Sequence, residues 1–211
     1  MNTWAVASFV GAMALAAVDW WAVIRGNKIV EYVCKPGTAT LFVVTAALID
    51  ANDTRAQGWL VAALVFSIAG DVFLMLPRDA FLPGLASFAV AQVLFAVSFA
   101  VGDASSLRLV IALLLVAATS SILARRFIGA LKRLDQRNLV PPIAVYMAVI
   151  SAMVVCAIAS GNVLGIIGAV LFMASDSLIA EERFVQQRRW QPLTIIVTYH
   201  LALTGFTLGL M

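Results

Sequence analysis

The stretch FSIAGDVFLMLP, residues 66–77, places one acidic residue, Asp71, inside a run that is otherwise apolar enough to cross a membrane. A second stretch, LFMASDSLIAEE (Leu171–Glu182), repeats this pattern with Asp176. A charged side chain at the centre of a membrane helix costs about 2.5–3.5 kcal/mol on insertion scales, so acidic residues at such depths are rare and usually functional. Two of them in one chain predict that the membrane-embedded part carries the activity.

The composition indicates a chain that lies almost entirely in the bilayer. Of its 211 residues, 63% are hydrophobic and 12% are charged, and the mean hydropathy is +1.02. Soluble domains carry about 25% charged residues. No stretch is long and polar enough for a separate soluble domain, so we expect a single transmembrane domain over residues 1–211. The net charge of +3 does not indicate nucleic-acid binding, because the basic residues follow a membrane topology.

Eight segments are predicted as membrane spans, by the rule that a span needs about 20 mostly apolar residues. The sixth and seventh are separated only by Ser160, Gly161 and Asn162, so a seven-span alternative exists. We favour eight, because roughly 40 apolar residues are too many for one crossing. The spans of this predicted all-α membrane helix bundle are Trp4–Ile24, Pro36–Ile49, Gly58–Leu76, Phe81–Val101, Leu107–Ala124, Val140–Ile158, Val163–Ala180 and Leu193–Met211.

The basic residues are distributed unequally between the two sides of this topology. The loops after spans 1, 3, 5 and 7 hold twelve of the fourteen lysines and arginines, and the other side holds only Arg55 and Arg108. Cytoplasmic loops are enriched in lysine and arginine. We therefore predict that both termini face outward and that the chain is a multi-pass protein of the bacterial inner membrane.

The topology also gives three acidic residues a common depth. Asp19, Asp71 and Asp176 each lie six or seven residues before a basic residue at the cytoplasmic end of their span. At 1.5 Å per residue, each carboxyl is about 10 Å below the cytoplasmic loops. Lys35 opens span 2 on the same side, directly before Pro36. The polar residues roughly 10–15 Å deep on the returning spans are Tyr146, Tyr199 and His200.

The two aspartate stretches also resemble each other. Ala69-Gly70-Asp71 and Ala174-Ser175-Asp176 lie four spans apart and point in the same direction. Such a match hints at a parallel four-plus-four repeat, of the kind that some transporters use. The small residues before each aspartate would also let neighbouring helices approach closely.

Two interpretations of Asp71 and Asp176 remain open from the residues alone. In the first, each carboxyl binds a basic residue, a tyrosine or a helix end and only fixes helix packing. In the second, they form an acid–base pair, because burial and a nearby like charge both favour the neutral form of one carboxyl while the other stays ionised. The second interpretation expects spans 3 and 7 to face each other across a lipid-accessible pocket on the cytoplasmic side.

The other polar residues also allow plainer interpretations. Lys35 either marks a helix end or meets a lipid phosphate or an aspartate. Asp19 is expected to reach the interface or to pair with Arg25. His200 is the only histidine; a lone histidine is more often packed and hydrogen-bonded than a metal ligand, so no zinc site is predicted. The basic segment RRFIGALKRLDQR, residues 125–137, is predicted to be a solvated loop near anionic headgroups.

These motifs resemble the lysoplasmalogenase family of YhhN-like membrane proteins. The similarity is carried by FSIAGDVFLM with the following FLPGLASF, by LFMASDSLIA, by Lys35-Pro36, and by the segments around Tyr146 and Tyr199. It runs from about Lys35 to Phe206. Two departures are visible: family members usually have histidine where this chain has Gln92, and usually end in a glutamine where it has Leu203.

The resemblance implies hydrolysis of the vinyl-ether bond of lysoplasmalogens to a fatty aldehyde and glycerophospho-ethanolamine or -choline. Such chemistry needs one carboxylic acid to protonate carbon and one carboxylate to stabilise the cation or activate water, and Asp71 and Asp176 would be that pair. The partners would be a lysophospholipid and membrane lipids, with no metal or other cofactor. The headgroup would lie near Lys35, Arg78 and Arg183. The residues expected to position the phosphate or tune the pair are Lys35, Tyr146, Tyr199, Ser175 and His200.

Two other classes of function stay open at this point. A lipid transporter or flippase would use the intramembrane acids as a proton relay and would move its substrate without changing it. A non-catalytic lipid-binding protein would use them only to lock helices together. No GxSxG, P-loop or Rossmann motif favours another enzyme class.

Overall fold

The fold consists of α-helices throughout the described part of the chain. The computed structural model describes residues 1–76, 80–102 and 104–211. Within these ranges there are eight α-helices, one short 3₁₀ helix (Arg137–Leu139) and no strand. The predicted all-α class is therefore confirmed. The helices are α1 (Thr3–Arg25), α2 (Lys28–Leu48), α3 (Thr54–Met75), α4 (Phe81–Ala100), α5 (Ser106–Arg133), α6 (Val140–Ser160), α7 (Val163–Phe184) and α8 (Gln191–Leu208).

Six of these helices are long and apolar enough to cross a membrane. They are α1, α3, α4, α5, α6 together with the 3₁₀ helix before it, and α7. The chain is therefore a multi-pass integral membrane protein. The two helices outside this group, α2 and α8, carry the predicted site residues Lys35, Tyr199 and His200.

Helix α2 begins earlier than the predicted span. It starts at Lys28, and the side chain of Asn27 caps it by accepting a hydrogen bond from the backbone N–H of Val30 at 3.3 Å. Pro36 lies inside the helix. The prediction that Lys35 opens this helix is therefore wrong: Lys35 lies in its third turn, and its side chain is only 15% exposed.

Helix α5 is longer than the predicted span, and it includes most of segment 125–137. The prediction of a solvated loop there is wrong as far as Arg133, where the helix ends. Phe127, Ala130 and Leu131 are buried at helical spacing, so this segment has an apolar face that needs a packing partner. Ala130 and Leu131 form a buried cluster with Phe81, Ile143 and Phe184. The remaining helix bounds lie within a few residues of those predicted.

Consecutive helices pack against each other in pairs. The pairs are α1 with α2, α3 with α4, α5 with α6, and α7 with α8. Helix α2 also packs against α3 and α8, and its counterpart four helices later, α6, packs against α7 and α4. These are the contacts that a parallel four-plus-four repeat would produce.

Glycines allow the closest approaches between helices in two of these pairs. Between α7 and α8, a Cβ atom on Gly168 or Gly205 would lie 2.9 or 2.7 Å from a carbonyl oxygen of the facing helix. Between α3 and α4, a Cβ on Gly70 would lie 2.6 Å from the ring of Phe88. The glycine directly before Asp71 therefore lets α4 press against α3 at the level of the carboxyl.

Candidate functional site

Asp71 lies near the C-terminal end of α3, where it is 1% exposed and bound by two other helices. From α2, the Lys35 ammonium lies 3.2 Å from the Asp71 Oδ1 atom. From α8, the Tyr199 hydroxyl donates a hydrogen bond to Oδ2 at 2.6 Å. Contact with an aspartate, one of the two predicted roles of Lys35, is thereby confirmed. The cation and the hydroxyl both stabilise the ionised form of Asp71.

Asp176, on α7, has a different set of neighbours. The Tyr146 hydroxyl, on α6, donates a hydrogen bond to its Oδ2 atom. Among the described residues, no lysine or arginine lies within ion-pair distance of this carboxyl. Two aspartates in similar sequence contexts therefore differ: Asp71 is paired with a cation, and Asp176 is hydrogen-bonded to a neutral group.

An apolar cavity of about 70 Å³ lies beside Asp176, with room for about five water molecules or a short length of hydrocarbon. Asp176, Tyr146 and Ser177 supply much of its polar lining. Helices α4, α5, α6 and α7 form the walls, and α3 contributes Leu74. Helices α3 and α7 both border this cavity, but Asp71 itself is not among the described residues that line it. That α3 and α7 face each other across a lipid-accessible pocket on the cytoplasmic side stays a prediction.

Aromatic rings connect the two carboxyls. Phe88, Phe172 and Tyr199 lie edge to face, with ring centroids 5.6–6.2 Å apart. The hydroxyl of Tyr199 binds Asp71, while Phe88 forms part of the cavity wall. Asp71 and Lys35 both contribute to the electrostatic potential at Asp176. Two rings in series, Tyr199 and then Phe88, therefore connect the ion pair with the cavity wall.

His200 lies on the other side of α8, away from the cavity. Trp20 donates a hydrogen bond from Nε1 to His200 Nδ1 at 3.0 Å, and His200 Nε2 lies 3.9 Å from Asp19 Oδ2. Both His200 and Asp19 are completely buried, because α1 packs against α8. The prediction that Asp19 reaches the interface or pairs with Arg25 is therefore wrong. His200 is packed and hydrogen-bonded, and the structure does not bring it to the cavity.

The remaining predicted binding residues occupy different positions. Ser175 is 1% exposed and donates to the carbonyl of Ile195 at 3.0 Å, so it ties α7 to α8 and does not line the cavity. The Arg183 guanidinium lies 4.3 Å from the centroid of the Phe81 ring, and that ring belongs to the cavity wall. Arg78, the third cation expected near the headgroup, lies outside the described residues.

Two features of the site were not predicted. The buried Gln92 amide lies beside the Tyr146 hydroxyl, although neither of its side-chain atoms makes a hydrogen bond of normal geometry. The sequence marked this position only as a departure from the family. Arg126 and Glu181 form an ion pair next to the cavity, with Nη2 and Oε1 2.5 Å apart. These partners are 55 residues apart in the chain, so no local pattern could have paired them.

Comparison with known proteins places this chain in a family. Residues 30–210 match the model of the YhhN family. The chain belongs to the YhhN family. Its curated relatives include the lysoplasmalogenase TMEM86B of Homo sapiens, which is 35% identical over 150 residues, or 71% of this chain and 62% of the relative. The lysoplasmalogenase of Mycobacterium bovis is 32% identical over 169 residues, or 77% of this chain and 63% of the relative.

The YhhN match covers the carboxylate site but not the whole bundle. The matched range excludes all of α1, and with it Asp19 and Trp20. The chain spans a little under two thirds of the length of the curated relatives it matches. No solved structure matches it. The residues of the two carboxylate clusters that fall inside the YhhN range are Lys35, Asp71, Tyr146, Asp176 and Tyr199.

Proposed function

We propose that this YhhN-family chain is a membrane hydrolase that cleaves the vinyl-ether bond of a lysoplasmalogen, releasing a fatty aldehyde and glycerophospho-ethanolamine or -choline. The observation that carries the proposal is the position of Asp176 at the wall of an apolar cavity, where no lysine or arginine of residues 1–76, 80–102 and 104–211 pairs with its carboxyl. Such a cavity suits an alkenyl chain. The lysoplasmalogenase names of the relatives indicate the reaction.

The charges assign different roles to the two aspartates. Lys35 and Asp71 form an ion pair that is neutral overall. Ionising Asp176 would add an uncompensated negative charge to a buried, apolar region, which is costly. We therefore assign Asp176 as the neutral acid. Asp71 is the carboxylate, which keeps the charge of Lys35 compensated and orients the Tyr199 hydroxyl.

The reaction follows from these roles in three steps. Asp176 transfers its proton to the β-carbon of the alkenyl group, whose C=C electrons form the new C–H bond and leave an oxocarbenium ion. The new Asp176 carboxylate faces the oxocarbenium ion and stabilises it. A water molecule then attacks the oxocarbenium carbon, and Asp176 takes a proton from this water. The resulting hemiacetal breaks its bond to the glycerol oxygen and moves its hydroxyl proton to that oxygen. The sum is one water consumed and the Asp176 acid regenerated.

The test uses purified protein in lipid nanodiscs with 1-alkenyl-lysophosphoethanolamine, followed by mass spectrometry of the aldehyde. In D₂O, the carbon next to the aldehyde should carry one deuterium, provided that the product is reduced to the alcohol at once. A 1-alkyl ether of the same length should give no product, because it has no double bond to protonate. If the lipid crosses the bilayer chemically unchanged, the protein is a transporter and the proposal is wrong.

Two variants test the assigned residues. Asp176→Asn removes the acid and should abolish aldehyde formation. Asp71→Asn leaves Lys35 uncompensated beside a developing cation and should lower kcat strongly. Ser175→Ala is the matched control, because this serine precedes Asp176 but lies outside the cavity. Undiminished activity in both asparagine variants would falsify the mechanism.

We further propose that all eight helices span the membrane, with both termini outside the cytoplasm in a bacterial inner membrane. Two hydrogen bonds support a common end for the termini: Asn2 Nδ2 donates to the Leu48 carbonyl at 2.7 Å, and the Asn52 N–H to the Leu210 carbonyl at 3.2 Å. The basic loops lie at the opposite ends of the same helices. Reporter fusions after each helix should alternate in compartment seven times; a fusion after α2 that reports the cytoplasm would contradict this topology.

A further inference from the structure

An ion pair joins α5 and α7 beside the cavity. The Arg126 guanidinium donates from Nε to Glu181 Oε2 at 2.7 Å and from Nη2 to Oε1 at 2.5 Å. This two-point geometry fixes the relative orientation of both groups. The Arg126 side chain is 50% exposed and the Glu181 side chain 13%. Both charges are therefore held in place while part of the guanidinium stays open to a ligand.

The pair lies on the same stretches of α5 and α7 as residues of the cavity wall, although neither Arg126 nor Glu181 is itself among the described lining residues. Each partner is next in sequence to a residue that lines the cavity, Phe127 for Arg126 and Ala180 for Glu181. Glu181 follows Asp176 by five residues on the same helix, which corresponds to about 7.5 Å along the helix axis. Five residues also turn the helix by about 140°, so this rise is a lower limit on the distance between the two carboxyls. A molecule whose reactive bond lies at Asp176 would therefore need to extend more than about 7–8 Å to reach this ion pair.

We propose that Arg126 and Glu181 recognise the zwitterionic headgroup of the lysolipid, with Arg126 binding the phosphate and Glu181 the ammonium group. This inference rests on the proposed function. Five bonds separate the ether oxygen from the phosphorus, or about 6 Å in an extended chain, and four more bonds, or about 5 Å, lead to the nitrogen. The whole headgroup, about 11 Å from the ether oxygen to the nitrogen, is therefore long enough to extend from Asp176 to the ion pair.

The charges of the pair complement a zwitterion in particular. When phosphoethanolamine or phosphocholine binds, guanidinium and carboxylate each meet a group of opposite charge, so no charge is left unpaired. A headgroup with only negative charge would satisfy Arg126 but place its charge next to Glu181. The carboxylate therefore acts against anionic headgroups, and repulsion of a wrong ligand is a common source of specificity.

The experiment compares kcat/KM for two pairs of 1-alkenyl lysolipids in nanodiscs: the phosphoethanolamine and phosphocholine forms against the phosphoglycerol and phosphate forms. Glu181→Gln should reduce the preference for the zwitterionic forms by about tenfold, mainly by improving the anionic ones. Arg126→Gln should raise KM for all four lipids. The neighbouring variants Arg125→Gln and Glu182→Gln remove the same charges one residue away and should leave the preference unchanged.

The exchanged variant Arg126→Glu with Glu181→Arg separates recognition from helix packing. It can restore the ion pair between α5 and α7, so thermal stability should return, but the headgroup preference should not. If both single variants lower activity on all four lipids by the same factor and the exchange restores it, the pair only clamps the helices and the inference is wrong.

A second readout keeps this inference separate from the proposed function. Binding of the four lipids is measured by the fluorescence of the chain's tryptophans, without turnover. If the wild-type protein forms no aldehyde, the proposed reaction fails; a zwitterion preference in binding that Glu181→Gln abolishes would still support headgroup recognition. Equal binding of all four lipids by the wild-type protein would overturn it.

Discussion

The ion pair between Lys35 and Asp71 makes a quantitative prediction about stability. Their charged atoms are 3.2 Å apart, and the side chains are 15% and 1% exposed. Two unit charges at this distance attract by about 5 kcal/mol at an effective dielectric constant near 20. Lys35→Met keeps a long apolar side chain but leaves the Asp71 carboxyl without its cation.

The expected cost of this substitution is about 3–4 kcal/mol. Removing one partner of a buried ion pair costs about 3–5 kcal/mol. The cost has an upper bound because the Asp71 carboxylate can take up a proton instead of staying charged. Protonating an ordinary carboxylate at pH 7 costs about 4 kcal/mol. Tyr199 still donates a hydrogen bond to Asp71, so part of the stabilisation survives.

The double variant Lys35→Met with Asp71→Asn is the control. It removes both charges, so most of the lost stability should return even though the native ion pair is absent. The assay is reversible unfolding by SDS in mixed micelles, followed by the fluorescence of the five tryptophans. The reasoning is refuted if Lys35→Met costs less than about 1 kcal/mol, or if the double variant is as unstable as the single one.

Three further outcomes are expected. Tyr146→Phe removes the hydroxyl that donates to the cavity carboxyl and should lower kcat roughly ten- to a hundredfold; an unchanged kcat would show that this hydroxyl has no role. Gly70→Ala pushes a methyl group against the Phe88 ring and should cost about 1–3 kcal/mol in SDS unfolding, whereas Gly58→Ala, with open space around it, should be neutral or stabilising. Asp53 caps α3, and two backbone N–H groups hold the pKa of its carboxyl below its usual value. The carboxylate therefore stabilises the folded state above the ordinary carboxyl pKa, and this stabilisation is lost as the pH falls through the folded-state pKa. The free energy of unfolding of Asp53→Asn should thus depend less on pH between about 5 and 2 than that of the wild-type protein.

The helices could be predicted because they depend on local sequence, whereas the common depth of the acids stays a prediction. A run of apolar residues predicts a helix that crosses the membrane. The spacing between an aspartate in that run and the next basic residue predicts the depth of the carboxyl. The same rules failed at α2. The apolar run predicts a start at Pro36, but Asn27 caps the helix, which begins at Lys28, eight residues before Pro36. The first turns of α2 are polar, so a rule that searches for apolar runs leaves them out of the helix, and Lys35 with them.

The partners of each carboxyl could not be predicted, because they come from helices distant in sequence. Tyr199 and Asp71 are 128 residues apart, and Tyr146 and Asp176 are 30 apart. Depth along each span brings these groups to similar levels, but only helix packing decides which face each other. Gly70 indicates one of these packing contacts, because the Phe88 ring of the neighbouring helix leaves no room for a side chain at residue 70.

The contrast between the two aspartates is best explained by the helices that pack on them. Asp71 and Asp176 occupy similar motifs on α3 and α7, and each receives its principal partner from the helix before it, Lys35 from α2 and Tyr146 from α6. If the fold arose as a repeat, the two halves differ in the residue that meets the aspartate. Lys35 gives Asp71 a cationic partner, and Tyr146 gives Asp176 a neutral one. The two helices that do not reach the apolarity of the other six, α2 and α8, are those that supply the charge and the hydroxyl to Asp71.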